Sequence, residues 1–233
     1  MRSVRLFLAL VRWDVIREFR RKEVISNMIL FALLVLFVAQ IGIGSDRERT
    51  STVGPVIFWV SILFAGTVGL SQTFAAEREG NAIAAVATAP VDAGIFYLAK
   101  VAASWLYVMV MATVVLAIYS VLFEFSPWGR LGMLAAVMGV FTLAYIACGV
   151  VLAAMTTSLH GGGEVVLRIL LIPLMLPLIW LTLRVSERVF GALIAGGVLG
   201  PPLKLGHYLA AALAFDTIYL TVGYILFPKV LEE

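Results

Sequence analysis

The sequence predicts an all-α integral membrane protein. It has six transmembrane helices, an N-terminal amphipathic interfacial helix, and an external re-entrant or interfacial segment before the last span. Three observations carry this reading. Of the 233 residues, 62% are apolar and only 13% charged, about half the charge of a soluble domain. The apolar residues fall into long runs, most of them near the roughly 20 residues that cross a hydrocarbon core. The basic residues gather at one end, where Arg2, Arg5, Arg12, Arg17, Arg20, Arg21 and Lys22 supply seven of the 17 lysines and arginines. A basic cluster beside an apolar run points to a membrane surface rather than to nucleic acid. Residues 1–233 read as a single membrane domain.

Residues 1–25 form the interfacial helix. Leu6, Leu10, Trp13 and Phe19 line an apolar face at helical spacing, so the helix lies in the interface plane. The basic region is too long for a secretory signal, and the first apolar run starts only near Asn27. The cluster places the N-terminus in the cytoplasm. A first span follows over 27–43 and ends in a short external loop, Gly44-Ser45-Asp46-Arg47-Glu48-Arg49. The second covers 53–75, opened by Gly54-Pro55.

Residues 76–92 make a polar, alanine-rich cytoplasmic loop with a readable order. Glu77-Arg78-Glu79-Gly80 ends the apolar run, and Asn81 to Thr88 are good helix formers with Ile83 and Val86 on one face. Pro90 stops that helix, because a residue preceding proline is pushed out of the helical region. Asp92 stands where an N-cap starts the third span, with Lys100 two turns further in. A short helix with small side chains, held between two spans, is shaped to dock into a groove on another protein; a loop that is merely helical is the plainer alternative.

The third span runs over 94–123, and Glu124 with Ser126-Pro127-Trp128-Gly129-Arg130 makes a tight external turn. The fourth, 131–155, is uncharged. Residues 156–163 form the second cytoplasmic loop. Only 15 residues separate Arg168 from Arg184, about 22 Å of helix against a core of about 30 Å. Starting the fifth span at Glu164 resolves this, pairing Glu164 with Arg168 one turn on. Pro173 and Pro177 lie inside it and kink it.

Residues 186–204 are rich in glycine (Gly191, Gly196, Gly197, Gly200) and close on Pro201-Pro202, a composition suited to the external re-entrant or interfacial segment. The last span covers 205–227, so both termini are cytoplasmic. With this layout 11 lysines and arginines are cytoplasmic and 6 external, the expected bias. A seven-span layout gives the same totals.

No phosphate-binding Gly-x-x-x-x-Gly-Lys-Ser/Thr loop occurs, so if ATP drives the process another polypeptide hydrolyses it. Zinc-protease, Cys-x-x-Cys and nucleophile-elbow motifs are absent as well, which argues against an enzyme and a resident metal. Cys148 is a lone cysteine in an apolar run, a packing residue. Asp216 sits near the middle of the last span, where an ionised carboxylate is costly and usually faces a bundle interior or wet cavity. Leu213 and Leu220, one turn away on either side, argue that this face is not lipid-exposed. His160 and His207 stand at span edges and read as interfacial, and the scattered tryptophans read as aromatic belts.

Two pieces of the chain resemble a known family. Glu77-Arg78-Glu79-Gly80, the short helix, Ala89-Pro90 and then Lys100 are similar to the first cytoplasmic loop of ABC-2-type permeases. Gly161-Gly162-Gly163-Glu164 leading to Pro173 and Pro177 narrows the resemblance to the heme-exporter B family, the membrane subunit of the cytochrome c maturation ABC complex. The resemblance implies a permease subunit assembled with a cytoplasmic ABC ATPase and other maturation membrane subunits in a bacterial inner membrane. It implies ATP-driven release of a heme-loaded chaperone, with heme as a handled or transported ligand. Glu77, Arg78, Glu79, Gly80, Ala89 and Pro90 would then couple to the ATPase, with Gly161, Gly162, Gly163, Glu164 and Arg168 forming the Gly loop. Two alternatives stand beside it: an ABC-2-type exporter of a lipid, drug or glycan, and an ATP-independent proton-coupled transporter using Asp216.

Overall fold

The computed structural model describes residues 2–44, 47–79, 92–126, 128–157, 163–194 and 205–232. Seven α-helices make up almost all of them: α1 Arg2–Arg20, α2 Lys22–Ile43, α3 Arg47–Glu79, α4 Ala93–Leu122, α5 Leu131–Thr157, α6 Gly163–Ile194 and α7 Leu205–Glu232. A single 3-10 turn, Trp128–Arg130, leads into α5. The helices α2 to α7 each contain a stretch long and apolar enough to cross a membrane, six in all. The protein is an all-α, six-span membrane protein.

Local chemistry sets the helix ends. The Asp92 carboxylate accepts hydrogen bonds from the backbone N–H groups of Gly94 (2.7 Å) and Ile95 (3.3 Å), an N-cap that fixes where α4 begins. At the far end, Glu124 takes a left-handed backbone (φ 49°). This lets the Phe125 N–H reach back to the Ser120 carbonyl at 3.0 Å, a closure more often made by glycine.

Three boundaries differ from the sequence reading. Gly54 and Pro55 lie inside α3, which already starts at Arg47. Pro55 falls in the third turn of α3, where it leaves the carbonyl four residues earlier without its N–H donor. Residues 186–194 continue α6 instead of opening a re-entrant element; 195–204 lie outside the described residues. The fifth span is correspondingly long, and α6 runs through both Pro173 and Pro177. Proline leaves a carbonyl in the preceding turn without its N–H donor. The carbonyls so freed are those of Ile169 and Pro173; between the two prolines the Tyr219 hydroxyl of α7 donates to the Leu174 carbonyl at 2.8 Å, tying the two helices together.

The bundle is built around α5, which packs on α3, α4, α6 and α7. By contrast, α2 buries one narrow stripe, Val24, Met28, Ala32 and Leu36, and leaves Leu30, Leu34, Val38 and Ile41 exposed to lipid. Trp59 is a core residue and not part of an aromatic belt. It is buried against Phe141 at 4.6 Å between ring centroids, and its Nε1–H donates to Ser186 Oγ at 2.6 Å.

Lipid chains are as apolar as leucine, so helices in a membrane associate by close packing and interhelical hydrogen bonds. Here tyrosines fit over glycines. Tyr145 on α5 lies over Gly66 on α3, its hydroxyl 2.9 Å from Thr67 Oγ1 and 3.2 Å from the Leu63 carbonyl. Tyr97 on α4 lies over Gly223 on α7 and donates to the Ala147 carbonyl of α5 at 2.9 Å. One ring thereby joins three helices. A Cβ at Gly66 would meet the Tyr145 ring at 2.8 Å. Gly66→Ala therefore destabilises the detergent-solubilised protein by about 1–3 kcal/mol, read by thermal unfolding. Gly132→Ala, where a Cβ meets nothing within 4 Å, is the control and leaves stability unchanged or slightly raised.

Candidate functional site

The strongest concentration of buried charge lies at the bundle end where α3 finishes and α4 begins. It rests on α1, whose orientation differs from the simple interfacial picture. Of the expected apolar face only Trp13 and Phe19 are exposed, together with Val4, Leu8 and Ile16, while Leu6 and Leu10 are half-buried. The face turned to the protein is acidic. Asp14 and Glu18, four residues apart and therefore stacked on one side of the helix, are each only 3% exposed.

Their partners come from two different spans. Lys100 on α4, 1% exposed, brings Nζ within 3.5 Å of Asp14 Oδ1. Thr73 on α3 donates its hydroxyl to Glu18 Oε2 at 3.2 Å. On α1 itself, the Arg17 guanidinium lies 3.4 Å from Asp14 and 4.0 Å from Glu18, and stacks over the Trp13 ring at 4.7 Å. Two carboxylates and two cations thus balance one another in a buried setting, the condition under which such charges are tolerated. The sequence reading placed Lys100 but missed Asp14 and Glu18. The available signal was that these are the only acids on an otherwise basic α1, spaced one helical turn apart.

The expected coupling residues lie next to this cluster in the chain. Glu77, Arg78 and Glu79 are the last residues of α3, while Gly80, Ala89 and Pro90 lie outside the described residues, as does the helix expected over 81–88. In the second loop Gly161, Gly162 and His160 are likewise outside. Gly163 opens α6, and Glu164 and Arg168 fall in its first two turns; the ion pair expected between them involves side chains that are not described. His207 is exposed near the start of α7. The structure therefore brings α1, the end of α3 and the start of α4 together.

Asp216 is a separate site. It is 4% exposed, on the one stripe that α7 buries, formed by Ala212, Asp216, Gly223 and Phe227. Leu213, expected on the same inward face, is half exposed; the inward face is the one through Ala212. The carboxyl group approaches the backbone at Ala144 of α5, and neither of its oxygens has a hydrogen-bond partner among the described residues. One turn away, Ala212 lines a small cleft between α5, α6 and α7 with Phe141, Thr182 and Tyr208. No group of three or more histidine, cysteine or acidic side chains gathers into a metal-binding arrangement among the described residues.

An unpartnered carboxyl in this position is costly in its ionised form. Asp216→Asn keeps the shape and removes the charge, so the asparagine chain assembles at wild-type yield. Asp216→Lys, which forces a cation into the same packed stripe, reduces the yield of folded protein severalfold. Size-exclusion recovery after detergent extraction distinguishes the two.

Comparison with known proteins follows the same stretch of chain. The family model described as CcmB protein matches residues 5–221. Heme exporter protein B of Bradyrhizobium diazoefficiens is 25% identical over 195 residues, covering 84% of this chain and 83% of that protein. Its counterpart in Pseudomonas aeruginosa is 26% identical over 212 residues, 88% and 90% of the two chains. That of Haemophilus influenzae is 25% identical over 222 residues, 89% and 99%. The matched region begins in α1 ahead of Asp14, takes in both stems of the 80–91 segment, and ends within α7 beyond Asp216, so the charged cluster and the intramembrane acid both lie inside it: the chain belongs to the CcmB protein family.

Proposed function

We propose that this chain is the membrane-spanning permease subunit of an ABC-type complex that serves heme export for cytochrome c maturation. The observation that carries the reading is the family match across nearly the whole chain, together with relatives named heme exporter protein B. Physical features of the molecule agree with it. Six spans and a basic α1 suit a bacterial inner-membrane subunit with its N-terminus in the cytoplasm. The sequence carries no phosphate-binding loop, so the energy source is a separate ATPase subunit. In this arrangement the 80–91 segment, between α3 and α4, faces the cytoplasm and receives the ATPase. Heme, alone or on its chaperone, is the cargo and not a resident cofactor. Other maturation membrane subunits complete the assembly against the lipid-facing surfaces of α2, α6 and α7.

Affinity purification of the tagged chain from its native membrane tests the reading. An ABC ATPase subunit and heme-handling membrane proteins co-purify, and deleting the gene abolishes heme-stained c-type cytochromes. Single cysteines at Asn81 or Ala85 cross-link to the ATPase. Efficient labelling of those cysteines from outside intact cells contradicts the topology. Normal c-type cytochromes in the deletion strain contradict the function.

A further inference from the structure

We infer that α1 is a clamp, fastened by Asp14 to Lys100 and by Glu18 to Thr73, that makes the end of α3 and the start of α4 move as one body. This rests on the functional reading above and names the residues through which a push on the 80–91 segment reaches the spans. Thr73 stands six residues before the end of α3, and Lys100 seven after the start of α4. These two helices are joined in sequence by the 80–91 segment, and both are tied to neighbouring turns of one short helix. A force applied between them is shared through α1 and does not simply spread them apart.

The chemistry of the ties suits this task. An apolar contact is non-directional and lets helices slide. A buried ion pair and a hydroxyl–carboxylate hydrogen bond fix register, because shifting them leaves a buried charge without its partner. Besides these ties α1 packs along α4, with Leu6, Leu10, Val11 and Val15 half-buried, while Val4, Leu8, Trp13, Ile16 and Phe19 face outward. The core of the six spans, around Trp59, Tyr97, Phe141 and Tyr145, is built without α1. Loosening α1 should therefore uncouple the subunit without unfolding it. Asp14 keeps the Arg17 guanidinium at 3.4 Å when Lys100 is replaced, so Lys100→Met does not strand the carboxylate.

The test uses the full complex. Lys100→Met removes the charge while keeping the apolar stem. Thr73→Val removes the hydroxyl and keeps the shape. Lys100→Arg and Thr73→Ser restore a donor at each position. ATP hydrolysis by the purified complex is measured beside formation of heme-bearing cytochrome c in cells. Lys100→Met and Thr73→Val retain the ATPase subunit and hydrolyse ATP within about twofold of wild type, while cytochrome c maturation falls by roughly tenfold, within the range a coupling residue can carry. The arginine and serine variants recover most of it. The inference is overturned if maturation is unchanged in both variants, if hydrolysis and maturation fall together, or if neither variant assembles. Failure of the wild-type chain to co-purify any ATPase defeats the functional reading instead, and is seen before any variant is made.

Discussion

The ion pair between Lys100 and Asp14 constrains everything at its end of the bundle. A lysine 1% exposed in a membrane helix needs a partner for its charge, and the Asp14 carboxylate at 3.5 Å provides one. That carboxylate is carried by α1, a helix outside the six spans. The requirement to neutralise Lys100 therefore dictates how α1 lies, which face it turns inward, and how closely it approaches α4. With Asp14 in place, Glu18 follows one turn later and meets Thr73 on α3. The lipid-facing side of α1 is then fixed by elimination. The helix turns its acidic side to the protein, and its exposed side mixes apolar residues with Arg5, Arg12 and Arg20.

Elsewhere the fold depends on close approach more than on charge. Glycines on α3 and α7 receive tyrosine rings from α5 and α4, and the hydroxyls of Tyr97 and Tyr145 finish on backbone carbonyls of neighbouring helices. Each such contact combines shape with a hydrogen bond that cannot be traded for water in a bilayer. Asp216 is the exception on this framework. It occupies a buried stripe where an apolar residue would pack, and it faces α5, which carries no charge along its length. The two polar sites thus differ in kind: one is a balanced cluster that fastens helices, the other a solitary carboxyl inside the packing.

Much of this was legible in the sequence because the bilayer imposes a length. Apolar runs of about 20 residues can do little but span, so six helices and the order of their loops emerge from pattern alone. The cap at Asp92 was legible for an equally local reason, a side chain two and three residues ahead of free N–H groups. What pattern could not supply was partnership. Hydrophobic periodicity gives α1 an apolar face but does not say that its acids meet α3 and α4, contacts 55 and 86 positions away in the chain. Trp59 looks like a belt residue until Ser186 and Phe141 are brought to it by packing. Residues 186–194 look too glycine-flanked and charged to extend a span, yet α6 carries through them because its apolar segment has already crossed the core. Asp216 is buried on the stripe through Ala212, whereas Leu213, which the leucine spacing puts on its face, is half exposed.

The claim on which this account turns is that α1 is held to α4 by the Asp14–Lys100 pair. A double-mutant cycle measures this directly. Asp14→Asn, Lys100→Met and the double variant are compared by hydrogen exchange of the α1 backbone amides in the detergent-solubilised protein, which reads the free energy of releasing α1 without unfolding the spans. A coupling energy of roughly 1–3 kcal/mol between the two positions, in the range found for groups in direct contact, is the result the account predicts. Additive effects, with no coupling between the two positions, would contradict it.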